Sequence, residues 1–95
     1  MEHTSKRFFA GEQVYWTINN RGKTYRRYGV VALVIPAKKK ITDEMLGELK
    51  YTHIKAYSAN LSQIETYLVA VGTPNIKPML YKPKPSKMTR SGRKA

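Results

Sequence analysis

A strand with apolar side chains on both faces restricts the fold of this chain more than any other feature. The segment from Lys23 to Ile35 is predicted to be one long strand, and every residue from Val30 onward is apolar. Because side chains on a strand point alternately to opposite faces of a sheet, this run predicts that both faces are covered. Pro36 ends the strand, since proline has no amide hydrogen to donate. Gly29 is the predicted position of a bend or bulge.

The preceding segment predicts the partner strand of a hairpin. Apolar residues alternate with more polar ones in residues 13–19, which is the period of a half-buried strand. We expect Val14, Trp16 and Ile18 to point into the core. The Asn-Asn-Arg-Gly sequence that follows predicts a tight turn, because asparagine and glycine tolerate positive φ.

A single short helix is predicted after the next loop. Thr42 is the expected N-cap, and Asp43 follows it in the first turn, where the helix dipole favours anions. Ile41 and Leu46 have the spacing of a hydrophobic staple. Gly47 weakens the helix, since glycine is a poor helix former.

The second half of the chain predicts a second hairpin. Ile64 to Val71 is rich in strand-forming residues, and Ile76 to Tyr81 is expected to return beside it. Pro78 predicts that the returning strand lies at an edge of the sheet. Residues 51–62 fit either a loop or an irregular strand.

The C-terminal residues have a different composition. From Lys82 onward the chain is rich in cations and contains no anion and very few apolar residues. This composition is typical of a flexible tail. We therefore predict a single domain over residues 1–83 and a disordered basic tail over residues 84–95.

Two motifs of the first hairpin carry a resemblance to a known fold. The first is G-x-x-V-x-W at Gly11, Val14 and Trp16, and the second is G-x-V-x-x-V-x-P from Gly29 to Pro36. Together they resemble the opening hairpin of SH3-like small barrels of the Tudor and KOW type. The resemblance implies an all-β fold with one short helix inserted between two hairpins. The expected architecture is an SH3-like antiparallel barrel of about four or five strands.

Later motifs resemble another group of proteins. E-T-Y-L-V-A-V from Glu65 to Val71 and L-Y-K-P from Leu80 to Pro83 are similar to segments of small uncharacterised proteins of phages and mobile elements. In those proteins a tryptophan occupies the place of Lys82 and a serine that of Thr66. The likeness extends from about Phe9 to Pro83, apart from the helical region. It implies a phage or mobile-element origin and carries no activity, since small barrels have many functions.

The charge of the chain predicts an anionic partner. Lys and Arg number 18 against 6 Asp and Glu, a formal net charge of +12. Such an excess attracts polyanions, of which nucleic acid is the commonest. Arginine can pair with phosphate through two hydrogen bonds, and tyrosine can stack on bases. The candidate binding residues lie in the hairpin, in the following loop and at the start of the tail: Arg21, Lys23, Tyr25, Arg26, Arg27, Lys38, Lys39, Lys40, Lys82 and Lys84.

The sequence offers little for catalysis or for a cofactor. There is no cysteine, which excludes disulfides and thiolate zinc sites. His3 and His53 stand alone, and the acids around Asp43 are explained by helix capping, so we expect neither a metal nor a cofactor. No apolar run reaches the roughly 20 residues of a membrane span, and the N-terminus does not resemble a signal peptide. The expected location is the cytoplasm, that of the host cell if a phage encodes the protein, with no membrane partner.

Three functions remain open. The first is a non-enzymatic accessory protein that binds the phosphate backbone of DNA or RNA through the hairpin and tail. The second is a phage inhibitor that docks onto a host defence or transcription complex by protein–protein contacts. The third is a minor virion component. The sequence leaves the choice between DNA and RNA and the oligomeric state open.

Overall fold

Strands make up most of the regular structure in the computed structural model, which describes residues 7–58, 60–73 and 76–91. In chain order the elements are β1 Gln13–Asn20, β2 Lys23–Ile35, α1 Asp43–Leu46, α2 Leu49–Thr52, β3 Ile54–Lys55, β4 Thr66–Thr73, β5 Ile76–Tyr81, a 3-10 helix Pro85–Lys87 and β6 Thr89–Arg90. The predicted all-β class is therefore confirmed.

The strands form one sheet with the order β3-β5-β4-β2-β1-β6. All neighbours are antiparallel except β3 and β5, which run parallel. The sheet is therefore open and mixed, with six strands, and the predicted antiparallel barrel of four or five strands is not confirmed. The two outermost strands have only two residues each, which leaves little edge for other chains to pair with.

The first hairpin forms as the sequence predicts. Asn20 pairs with Lys23, so the connecting turn contains only Arg21 and Gly22. Their φ angles are 54° and 80°. Positive φ at both central residues is what the commonest two-residue hairpin turn requires, because its twist matches that of the strands.

The irregularity of β2 lies beyond the predicted glycine. The register between β2 and β4 shifts between Val31 and Leu33, so the bulge is at Ala32 and not at Gly29. Gly29 instead permits a close approach of β4. A Cβ atom at Gly29 would lie 2.6 Å from Val69 Cγ1 and 2.7 Å from the carbonyl oxygen of Ala70.

The sheet buries a hydrophobic core on each face. We call the face that carries Trp16 the tryptophan face and the face covered by α1 and α2 the helix face. The core of the tryptophan face contains Phe8, Val14, Trp16, Val31, Tyr67, Val69 and Met88. The core of the helix face contains Ile35, Leu68 and Leu80, with Leu33, Ile41, Met45, Leu46, Leu49 and Tyr57 packed against them. From Val31 to Ile35, β2 is thus covered on both sides, as predicted, whereas Val30 at the start of the apolar run is exposed.

The sheet curls strongly toward the tryptophan face. Trp16 on β1 and Tyr81 on β5 are separated in the sheet by β2 and β4. Three strand spacings would place them about 14 Å apart in a flat sheet. Their ring centroids are nevertheless 6.0 Å apart, so the two halves of the sheet fold toward each other.

The C-terminal segment differs from the predicted disordered tail. Residues 82–91, here called the C-terminal strap, run from β5 to the opposite side of the sheet, where β6 pairs with β1. Met88 is fully buried and Pro85 is also buried. The amide of Ser91 donates to the carbonyl oxygen of Gln13 at 3.0 Å. The strap is ordered because its one large apolar side chain enters the core; residues 92–95 of the predicted tail lie outside the described residues.

The helical region also departs in detail from the prediction. The Thr42 Oγ1 atom accepts a hydrogen bond from the Met45 amide at 3.2 Å, which confirms the N-cap. Gly47 has φ 57° and ψ −127°, a conformation that ends the helix, so two single-turn helices replace the predicted one. Ile54 then pairs with Met79 as part of β3. β5 is consequently not an edge strand, and Pro78 lies just before this pairing begins.

Candidate nucleic-acid interface

The predicted binding residues fall into two groups at opposite ends of β2. The first group occupies the hairpin from Arg21 to Arg27, and the second begins with Lys38, just after the other end of the strand. Thirteen residues at about 3.3 Å each span up to about 40 Å. This length is close to the longest dimension of the molecule, 42 Å. The two groups are therefore separate surfaces.

The second group gathers around the loop before β4, and we call it the loop cluster: Lys38, Lys39, Lys40, Lys82 and Lys84. The amide of Lys38 donates to the carbonyl oxygen of Ser62 at 2.8 Å. The Lys82 Nζ atom donates to the carbonyl oxygen of Asn60 at 2.8 Å. Lys84 lines the same shallow cavity as Lys82. Lysines distant in sequence thus meet at this end of the sheet.

The hairpin cations are divided between the two faces. Trp16 pairs with Arg27, and Thr17 pairs with Arg26. Because paired residues of antiparallel strands share a face, Lys23, Tyr25 and Arg27 lie on the tryptophan face. Arg26 and Tyr28 lie on the helix face, as the alternation of the sequence predicts.

Tyr15, Arg26 and Tyr28 form one connected group, here called the tyrosine platform. The ring centroids of Tyr15 and Tyr28 are 5.3 Å apart. The guanidinium carbon of Arg26 lies 4.6 Å from the centroid of the Tyr15 ring. The Arg26 guanidinium also donates to the Tyr28 hydroxyl at 3.5 Å, a hydrogen bond that raises the pKa of Arg26. Arg26 is thereby positioned by both tyrosines.

The platform lies on the part of the helix face that the helices leave uncovered. Tyr28 is 49% exposed and its neighbour Val30 is 39% exposed. A shallow cavity adjoins them, with Gln13 and Ser91 in its lining. Among the described residues this uncovered half of the face carries no carboxylate. Its side chains are those of Gln13, Tyr15, Thr17, Asn19, Thr24, Arg26, Tyr28, Val30 and Thr89.

Arg27 has a different environment from the other hairpin cations. Its guanidinium carbon lies 4.4 Å from the centroid of the Tyr81 ring. Tyr81 in turn packs edge-on against Trp16, which is buried. Arg27 is therefore half-buried at the rim of the core, and its contacts serve packing.

Carboxylates near the sheet are engaged by other cations. Arg90 pairs with Glu12 at 2.6 Å and Arg7 pairs with Glu65 at 3.4 Å. Glu65 also accepts a hydrogen bond from the Tyr67 hydroxyl at 2.5 Å, and this bond, aided by Arg7, lowers its pKa. Within the described part of the chain, no ion pair involves a cation of the hairpin or the loop cluster. Apart from Arg27, which packs on Tyr81, those cations are available to an external anion.

The candidate residues chosen from the sequence included neither Tyr15 nor Tyr28; they included Tyr25, which lies on the tryptophan face, away from the platform. The signal was the length of the turn, since a two-residue turn at Arg21 and Gly22 places Tyr15 opposite Tyr28. In the other direction, Arg27 was selected for its charge alone, and its packing against Tyr81 links elements far apart in sequence.

The described residues offer neither a metal site nor a membrane-spanning helix. No three histidine or acidic side chains lie close enough together to hold a metal ion. No helix in the described ranges has both the length and the hydropathy of a membrane span. Comparison with protein-family models, with curated proteins and with solved structures gives no match to this chain.

Proposed function

We propose that this protein is a non-enzymatic nucleic-acid-binding protein whose primary contact surface is the tyrosine platform, with Arg21 and Lys23 at the tip of the hairpin as flanking phosphate contacts; Lys23 lies on the tryptophan face. The observation that supports this most directly is the uncovered half of the helix face. It combines the exposed ring of Tyr28 and the half-buried ring of Tyr15 with an arginine, and it has no carboxylate among its described residues. Cations attract phosphate, and aromatic rings offer stacking surfaces to bases.

The loop cluster supplies a second electrostatic contact in this proposal. Its lysines lie at the far end of β2 and are free of described ion pairs. A polynucleotide that lies along the sheet would pass from the hairpin to this cluster. Lysines without a fixed geometry contribute affinity through counterion release and carry no base preference. Binding is therefore expected to be weakly sequence-specific and to weaken steeply as salt increases.

Two further expectations remain part of the proposal. A relationship to SH3-like barrels is supported by the bulged strand β2 and by the curl that brings Tyr81 to Trp16. A phage or mobile-element origin, with the protein acting in the host cytoplasm, is supported by the likeness of the segment from Glu65 to Val71. Neither is needed for the binding surface.

The proposal is tested by measuring affinity as a function of salt in two matched variants. One replaces Arg21, Lys23 and Arg26 with Ala, and the other replaces Lys38, Lys39 and Lys40 with Ala. Each lowers the formal net charge from +12 by three, so a difference between them reports position and not total charge. We expect the hairpin variant to lose more affinity, measured by fluorescence anisotropy with labelled oligonucleotides. Equal losses, or wild-type affinity that does not change with salt, would contradict the proposal.

The inhibitor hypothesis is separated by a different experiment. The tagged protein is used to capture partners from host lysate before and after nuclease treatment. Partners that are lost with the nucleic acid agree with direct nucleic-acid binding. Host proteins that remain after nuclease treatment favour docking on a host complex instead.

A further inference from the structure

We infer that the site takes single-stranded nucleic acid in preference to duplex, with bases stacked on the tyrosine platform. This inference rests on the proposed function and adds the class of ligand. It follows from the kind of surface that surrounds Arg26, from the way Arg26 is held, and from the cavity beside Tyr28.

The surface around Arg26 exposes more apolar area than contact with phosphates alone would require. Tyr28 and Val30 are both more than a third exposed and occupy alternate positions on the same face. A duplex presents phosphates on the outside and keeps the faces of its bases stacked inside. A single strand can turn those base faces outward and cover exposed aromatic rings. Only the single strand would bury the apolar part of this surface.

The Arg26 side chain is preorganised for contact with a stacked ligand. It lies over the Tyr15 ring and is bonded to the Tyr28 hydroxyl, so little side-chain freedom is lost when a ligand binds. A guanidinium in such a place offers a planar surface to a base and N–H donors to a phosphate. The platform thus pairs a stacking surface with a phosphate contact, which is the combination that a flexible strand requires.

The cavity next to Tyr28 provides room for a base. Its lining includes Gln13, which shares the helix face with Tyr28 and whose side-chain amide has both donor and acceptor groups. A base stacked on the outer side of Tyr28 would have its edge near this cavity. Charge complementarity favours an anionic occupant such as nucleic acid, because the surrounding face has a cation and no described carboxylate and the chain has a formal net charge of +12.

Three labelled ligands of equal length test the inference on the unmodified protein. They are an oligothymidylate, an abasic strand with the same phosphates, and a duplex. We expect the oligothymidylate to bind roughly tenfold more tightly than the abasic strand for each stacked base, and also more tightly than the duplex. An oligouridylate is added as an RNA arm, and tighter binding of either single strand than of the duplex supports the inference.

Substitutions of Tyr28 test whether the bases stack on the tyrosine platform. Tyr28→Ala should lower affinity for the single strand about tenfold and leave affinity for the duplex nearly unchanged, whereas Tyr28→Phe should retain tight binding because the ring remains. Tyr51→Ala is the control, since Tyr51 is 68% exposed on α2 and lies away from the platform. A melting curve of each variant verifies the fold.

The failures of the two proposals can be told apart. Equal binding of the oligothymidylate, the abasic strand and the duplex would overturn the preference for single strands and leave nucleic-acid binding intact. Absence of binding to all three at low salt would overturn both. An unfolded Tyr28→Ala variant does not affect the comparison of ligands on the unmodified protein.

Discussion

Arg26 and Arg27 are adjacent in sequence and lie on opposite faces of the sheet with opposite surroundings. Arg26 is exposed and lies over Tyr15 on the uncovered part of the helix face. Arg27 is half-buried on the tryptophan face, where it covers Tyr81 beside Trp16. A double replacement would therefore mix a loss of ligand contacts with a loss of packing.

Single replacements should separate the two effects. Arg26→Ala is expected to weaken nucleic-acid binding and to change the free energy of unfolding by less than about 0.5 kcal/mol, as is usual for surface positions. Arg27→Ala should cost about 1 kcal/mol because it removes a cation–π contact and side-chain packing at the core rim. Urea denaturation and anisotropy measure the two quantities. If Arg27→Ala is as stable as Arg26→Ala, the contact with Tyr81 does not contribute to folding.

Gly29 should be intolerant of even a methyl group. A Cβ atom there would lie 2.7 Å from a backbone oxygen of β4, so the strands would have to move apart. We expect Gly29→Ala to destabilise the protein by about 1–3 kcal/mol, in the range of overpacked cores. Gly72→Ala is the matched control, because nothing lies within 4 Å of the added Cβ atom. A melting temperature for Gly29→Ala equal to that of the control would refute the close approach of β2 and β4.

The C-terminal strap should contribute to stability through one side chain. Met88 is fully buried, and truncation of a buried methionine typically costs about 2–5 kcal/mol. Met88→Ala should therefore lower the free energy of unfolding strongly. Its neighbour Lys87 is exposed, so Lys87→Ala should have almost no effect. Chemical denaturation of both variants checks this, and similar stability in the two would mean that the strap does not pack on the core.

Glu65 should make stability fall under acid conditions. The Tyr67 hydroxyl and then Arg7 lower the pKa of Glu65 in the folded state, so its contribution is present above the ordinary carboxyl pKa. As pH falls through the folded pKa, the unfolded state has already taken up the proton and the native state must follow, and the stabilisation is lost. Glu65→Gln should weaken the dependence of the melting temperature on acid pH. Glu44→Gln, at an exposed position of α1, is the control, and an identical pH profile for Glu65→Gln and the wild type would contradict the expectation.

The first hairpin was predictable because its signals are local. The alternation around Trp16 and the Asn-Asn-Arg-Gly turn define both strands, and the observed bounds of β2 match those expected. The N-cap at Thr42 is local in the same sense. The position of the bulge was not predictable. Apolar residues occupy both faces from Val30 to Ile35, so an inserted residue does not interrupt any alternation of polar and apolar side chains.

Features that depend on distant contacts could not be predicted. Met88 is a lone apolar residue among cations, and its burial requires the sheet to curl so that the strap can cross from β5 to β1. The loop cluster likewise depends on Lys82 meeting Asn60. The cations of the proposed surface, Arg21, Lys23 and Arg26, could be selected from their charge alone. The pairing of Tyr15 with Tyr28 needed the register, and the packing role of Arg27 needed the tertiary fold.

Because of the bulge at Ala32, β2 contributes side chains to the hydrophobic cores on both faces of the sheet. It sends Val31 and Val34 to one side and Leu33 and Ile35 to the other. Since both cores contain side chains of β2, neither core can unfold without disrupting the other. A calorimetric scan should accordingly show one peak, with agreement between the calorimetric and van't Hoff enthalpies. Hydrogen-bonded amide protons of β1 and β4, the strands on either side of β2, should exchange with solvent at the same slow rate.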